Sequence, residues 1–273
     1  MTFQKKLQSV QRKHRSLLCI GLDTDRRLLP AHFPRTADGV VAFNRAIIEA
    51  TSDLACGYKL NLAFYEALGR DGWRVMDETL RLIPHSLVTI GDGKRGDIGN
   101  TAEQYAQALY NELGFDAVTV HPYMGFDSVE PFIRDASRCA FVLALTSNEG
   151  SKDFQRLTLG GKPLYEKVIH TVTKWNTKKN IGLVVGATHP DELEPIRALA
   201  PTMPLLIPGI GKQGGDLKAA VRYGCDKKGE FALINAGRSI LYASSTKNFA
   251  KAARKEATRL RSHMQRYQEQ FFG

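Results

Sequence analysis

The sequence predicts an α/β chain folded as a single (β/α)8 TIM barrel with extra terminal helices. Eight short apolar runs rich in β-branched residues recur along its 273 residues. They are spaced about 30 residues apart, the length of a strand–helix unit in a parallel sheet. Most of them end in polar or glycine-rich residues, which places those residues at one mouth of a barrel, where active sites of this architecture lie. A chain of about 250 residues is the usual size of one such barrel.

The elements follow in order. Residues 1–16 read as an N-terminal helix, residues 17–246 as the barrel and residues 247–273 as a C-terminal helix. Strands are expected at Leu17–Asp23, Cys56–Asn61, Leu87–Asp92, Asp116–His121, Cys139–Thr146, Ile181–Ala187, Pro204–Ile210 and Glu230–Ala236. Their nearly continuous apolar character suits strands covered on both faces. Helical periodicity marks Asp38–Ser52, Tyr65–Leu82, Thr101–Gly114 and Lys162–Thr177 between them. No linker, low-complexity stretch or internal repeat divides the chain.

Composition excludes several classes. A 43% hydrophobic content supports a large core. No apolar run approaches the roughly 18 residues of a membrane span. Cys19, Cys56, Cys139 and Cys225 are scattered without a C-x-x-C pair, which favours free thiols in a reducing cytoplasm. The formal net charge of +10 suggests a polyanionic partner, but its distribution argues otherwise. Residues 1–16 carry +5 and residues 247–273 another +5, so the body between them is neutral. The excess is read as helices on the barrel exterior, with no nucleic-acid partner.

Three constellations carry candidate chemistry. The first is Asp92-Gly93-Lys94-Arg95-Gly96-Asp97 after the third strand. Asp92 and Lys94 are two apart, so an extended chain aims both into the mouth. Lys94 between carboxylates stays protonated and can donate a proton. The competing reading is a solvated turn, with Asn100 and Glu103 forming a helix capping box. The second is Lys59 with Asn61 at the end of strand two; a lysine in an apolar strand demands partners, and Asp23 and Asp92 are the nearest candidates. The third pairs Pro208–Asp216 after strand seven with Asn235–Ser239 after strand eight. Glycine-rich loops at these two barrel positions favour a phosphate, to which Gln213 and Arg238 add donors. His121, His85, His189 and His32 show no metal-ligand spacing. No G-x-S-x-G elbow and no G-x-G-x-x-G after the first strand occur.

Asp92-x-Lys94-x-x-Asp97-Ile98-x-x-Thr101, with Gly21-Leu22-Asp23, Lys59, Ala63-Phe64-Tyr65-Glu66, Pro208-Gly209-Ile210-Gly211 and Gly237-Arg238-Ser239-Ile240, resembles the orotidine 5'-phosphate decarboxylase family. Thr119–Gly125 and Val184–Thr188 are similar to its longer bacterial subgroup; Leu60 stands where many members carry proline. The resemblance implies a cytoplasmic homodimer of barrels that converts orotidine 5'-phosphate to UMP and CO2 without metal or organic cofactor. By the same resemblance, Asp23 and Lys59 bind ribose hydroxyls and Asp92 and Lys94 face the pyrimidine. Asp97, Ile98 and Thr101 come from the partner subunit. Ser147 contacts the pyrimidine, Gln213 bridges pyrimidine and phosphate, and Gly237 and Arg238 hold the phosphate. Relatives with the same D-x-K-x-x-D barrel that act on sugar phosphates with magnesium remain an alternative, as does a nucleic-acid-binding barrel using the basic ends.

Overall fold

In a computed structural model, which describes every residue except 187–189 and 210–215, eight parallel strands close into a barrel. They are β1 (Leu18–Gly21), β2 (Gly57–Asn61), β3 (Val88–Arg95), β4 (Ala117–Val120), β5 (Cys139–Leu145), β6 (Ile181–Val185), β7 (Leu205–Ile207) and β8 (Ala232–Ala236). Each strand pairs with its sequence neighbours, and β1 pairs with β8 to close the circle. All eight expected strands are present. The expected ends at Ala187 and Ile210 lie outside the described residues. Among the described residues, no helix is long and apolar enough to cross a membrane.

The N-terminal helix Phe3–His14 seals the barrel floor. Phe3 meets Phe141 edge-on at 6.0 Å between ring centres. Gln11 donates to the Ala232 carbonyl and accepts from Phe231 N–H, which pairs buried backbone at the start of β8. Lys6 binds Asp116 at 2.7 Å, and Arg12 binds Glu230. Part of the N-terminal excess charge is therefore neutralised by carboxylates under the barrel. The C-terminal helix Phe249–Phe272 lies against the first outer helix, Ala37–Thr51, and the seventh, Leu217–Gly224. It covers the exterior where the eighth helix of the ring belongs, with Ala253, Ala257, Leu260 and Met264 buried along one stripe.

Several boundaries differ from the sequence reading for local reasons. The stretch read as one helix over Tyr65–Leu82 is broken into Leu62–Glu66, a 3-10 turn Gly69–Asp71 and Gly72–Leu82. Gly69 has φ of 65°, which a continuous helix cannot contain. The helix from Gly99 becomes π-helical over Gln107–Glu112. The capping box is not formed: Ile98 is the N-cap, and Asn100 already lies inside the helix. Asp97 supplies the nearby acceptor, taking the Ile98 N–H at 2.8 Å. A two-residue hairpin, Thr158–Leu159 with Lys162–Pro163, projects after β5 and turns at Gly160-Gly161, both at positive φ.

The third strand runs past Asp92 to Arg95, so Asp92-Gly93-Lys94 is strand rather than turn. It is not regular strand. Gly91 pairs with Val118 but Arg95 with Val120, so four steps on β3 match two on β4. This bulge holds Lys94 at φ of 45°, a left-handed conformation that a lysine adopts only under constraint. Simple alternation was expected to aim Asp92 and Lys94 together; the bulge achieves it instead.

Candidate active site at the barrel mouth

The C-terminal ends of the strands surround a cavity of about 330 Å³. Asp23, Lys59, Asp92, Lys94, Ser147, Gly237 and Arg238 all line it, as do Asn61, Asn235 and Ser239. Four of these residues form a chain of alternating charge. Asp23 follows β1 and accepts from Lys59 Nζ at 3.2 Å. Lys59 Nζ lies 3.1 Å from Asp92 Oδ2. Lys94 Nζ donates to Asp92 Oδ1 at 2.7 Å. The order Asp23, Lys59, Asp92, Lys94 thus runs from β1 across β2 to β3, as the register of Gly21 opposite Lys59 and Asn61 opposite Asp92 requires.

Burial divides these groups. Lys59 is 3% exposed, whereas the Lys94 side chain is 46% exposed toward the cavity. Burial pushes the Lys59 ammonium down, but Asp23 and Asp92 outweigh it and hold its pKa above the ordinary lysine value. Burial likewise pushes the Asp92 carboxyl up. The charges of Lys59 and Lys94 and the hydrogen bonds from Lys94 and Thr119 prevail and bring it to about 2. Asp92 is therefore a carboxylate and Lys59 an ammonium throughout the physiological range.

Sequence reasoning missed Thr119. Its hydroxyl donates to Asp92 Oδ1 at 2.8 Å and accepts the Lys94 backbone N–H at 2.9 Å. One side chain from β4 thus fixes both the carboxylate and the bulge. The available signal was a threonine in the otherwise apolar run Ala117-Val118-Thr119-Val120. His121 is structural here: its backbone N–H donates to the Arg95 carbonyl at 3.0 Å. Its ring packs so closely on Gly96 that a Cβ there would lie 1.9 Å from Nε2. A side chain at Gly96 would therefore push the His121 ring aside.

On the far side of the mouth, Gly237 precedes the short helix Arg238–Leu241. Asn235 Oδ1 and Ser239 Oγ are buried without a hydrogen-bond partner among the described residues, and both residues line the cavity. The Ser239 hydroxyl and Arg238 can donate to an anionic ligand, whereas Asn235 Oδ1 can only accept from a donor. Ser147 is held by its loop: Gln155 accepts the N–H of Thr146 at 2.7 Å, and a Cβ on Gly186 would lie 2.8 Å from Ser147 N. Gln213 lies outside the described residues.

Asp97, Ile98 and Thr101 are not brought to this cavity. Ile98 is exposed and lines a separate concavity with Phe126. Tyr123 and Met124 are exposed on the neighbouring loop. Among the described residues, no group of three or more His, Cys, Asp or Glu side chains is arranged to hold a metal ion.

A closed parallel barrel with a hydrogen-bonded Asp–Lys–Asp–Lys chain and an arginine at its C-terminal mouth defines an α/β-barrel enzyme of anionic ligands. Residues 16–253 match the model of the Orotidine 5'-phosphate decarboxylase / HUMPS family. The chain is 50% identical over 275 residues to an orotidine 5'-phosphate decarboxylase of Dehalococcoides mccartyi, covering 99% of this chain and 100% of that one. It is 51% identical over 257 residues to that of Herpetosiphon aurantiacus, covering 93% and 95% respectively. The OMP decarboxylase structure of Leishmania donovani superposes with a TM-score of 0.83 at 39% identity, covering 96% of this chain and 99% of that one. The chain belongs to the orotidine 5'-phosphate decarboxylase family.

Proposed function

We infer that the protein decarboxylates orotidine 5'-phosphate to UMP and CO2, the last step of de novo UMP synthesis, and that it uses no cofactor. The observation that carries the mechanism is the half-exposed Lys94 ammonium, held 2.7 Å from an Asp92 carboxylate that is itself fixed by Lys59 and Thr119. Breaking the C6–CO2 bond leaves an electron pair on C6 that the pyrimidine ring delocalises poorly. Lys94 stabilises that pair by its charge and then transfers a proton from Nζ to C6. Asp92 keeps Lys94 aimed. Such fixed charges need no reorganisation when the carbanion develops, and this is the main source of rate enhancement at sites of this type.

Asp23 and Lys59 take the ribose hydroxyls, Ser147 the pyrimidine, and Gly237 and Arg238 the phosphate, with Gln213 reaching both. Phosphate binding lies away from C6, so its energy can hold the reacting group in place. The working unit is a homodimer. Asp97, Ile98 and Thr101 of each subunit complete the partner's site, and Asp97 beside the substrate carboxylate disfavours the ground state. Exposed Ile98, Tyr123, Met124 and Phe126 support this reading, since an apolar patch of that kind marks an interaction surface. Four free, buried cysteines suit the cytoplasm.

EDTA-treated protein is expected to consume orotidine 5'-phosphate, followed as loss of ultraviolet absorbance, at the untreated rate. No consumption of orotidine 5'-phosphate, with magnesium-dependent turnover of a sugar phosphate instead, would favour the sugar-phosphate relatives. Mixing inactive Asp97→Ala with inactive Lys94→Ala subunits is expected to restore activity, because one of the two sites in each mixed dimer carries both wild-type residues. No activity at any mixing ratio would overturn the shared site.

A further inference from the structure

Asp23 leaves the barrel on a segment whose neighbours are all tied to buried side chains. Tyr65, on the helix Leu62–Glu66, donates its hydroxyl to the Leu22 carbonyl at 3.0 Å. Thr24 donates its hydroxyl to Asn44 Oδ1 at 2.6 Å. Asn44, on the helix Ala37–Thr51, is fully buried, and its Nδ2 donates to Tyr65 at 3.3 Å and to Thr79 at 3.1 Å. One amide therefore holds both residues flanking Asp23: Thr24 directly, and Leu22 through Tyr65. Buried networks of this kind fix a single geometry only when every member is satisfied. Here each polar atom of Asn44 has a partner, and the Asp23 side chain is left aimed at Lys59.

We propose that Asn44 is a positioning residue for Asp23, and that by fixing this carboxylate it sets how strictly the protein selects nucleotides by their ribose hydroxyls. The amide itself lies behind the strand ends and does not line the cavity. Its effect reaches the ligand only through the backbone of Leu22–Thr24. The proposal rests on the reading that Asp23 takes a ribose hydroxyl, so the test includes a variant that addresses that reading alone.

Dissociation constants of UMP and of its 2'-deoxy and 3'-deoxy counterparts are measured for the wild type and for Asn44→Leu, Thr24→Val and Asp23→Asn. The wild type is expected to prefer UMP over at least one deoxynucleotide by about tenfold or more, and Asp23→Asn to lose most of that preference. Asn44→Leu, which keeps the branched shape but removes the amide, is expected to reduce the preference about three- to tenfold and to raise KM more than it lowers kcat. Thr24→Val removes one hydroxyl, leaves Asn44 in place and is expected to act in the same direction; it carries the test if Asn44→Leu does not fold. If Asp23→Asn loses the preference while the folded Asn44 and Thr24 variants keep it in full, Asn44 is a core residue only and the inference fails alone. If Asp23→Asn keeps the preference, the ribose assignment of Asp23 fails and the inference with it.

Discussion

Replacing Lys94 by alanine is expected to remove nearly all turnover while UMP still binds. Lys94 is the one member of the charge chain with substantial exposure to the cavity, and its Nζ sits 2.7 Å from the Asp92 carboxylate. A positioned proton donor contributes about 100-fold or more. The loss here is expected to exceed that, because in the proposed mechanism the same ammonium also stabilises the carbanion before the proton moves. The phosphate and ribose contacts proposed for Gly237, Arg238, Asp23 and Lys59 lie elsewhere, so the product dissociation constant should change far less than kcat. The backbone adds a control. At φ of 45°, Lys94 is in a region where any L side chain is strained by about 1–2 kcal/mol. Lys94→Gly relieves that strain and removes the amine. It is expected to be at least as stable as the wild type in thermal unfolding and as inactive as the alanine variant. More than about a tenth of wild-type kcat in either variant would exclude Lys94 as the donor.

That strained lysine also marks where sequence patterning stops being informative. Eight strands were legible because each is a continuous apolar run, and the pairing partners in a closed barrel follow from their order. The charged cluster after β3 was legible as composition, but its geometry was not. A bulge that matches four steps on one strand to two on the next depends on Thr119, 25 residues away, accepting the Lys94 N–H. Nothing local to Asp92-Gly93-Lys94 encodes that contact. Asn44 was invisible for the same reason: within its helix it reads as an ordinary polar residue, and its partners Thr24, Tyr65 and Thr79 come from three other elements. Asp97 stood out in the charged cluster and Ile98 only through the motif, and one chain leaves both outside the cavity that holds Lys94. The basic excess, by contrast, was correctly localised by counting. The floor helix places Lys6 and Arg12 on Asp116 and Glu230, and Arg254 of the C-terminal helix on Asp53.

Lys59→Met should produce the largest loss of stability of any single change at this site. Lys59 is buried between two carboxylates, 3.2 Å from Asp23 and 3.1 Å from Asp92. Methionine fills similar volume but leaves Asp23 and Asp92 facing each other without the cation between them. Removing one partner from a buried ion pair costs about 3–5 kcal/mol, chiefly through the uncompensated charge that remains. For a chain of this size that lowers Tm by roughly 10 °C. The pH dependence identifies the cause. In the wild type, the Asp92 carboxyl is held at about 2, below the ordinary aspartate value of about 3.9. A depressed carboxylate contributes stability that is complete above the unfolded value and is lost as pH falls from about 4 toward 2. In the variant, Asp92 loses the Lys59 charge, the strongest influence lowering it, while burial continues to push it up. Its pKa rises, so protonation now relieves the folded variant as pH falls. The gap in Tm between wild type and variant should therefore be widest near pH 7 and narrower near pH 4. A gap that stays constant across that range would mean that Lys59 acts by packing rather than by charge. Asp23→Asn in the Lys59→Met background should recover part of the lost stability, because it removes one of the two stranded carboxylates.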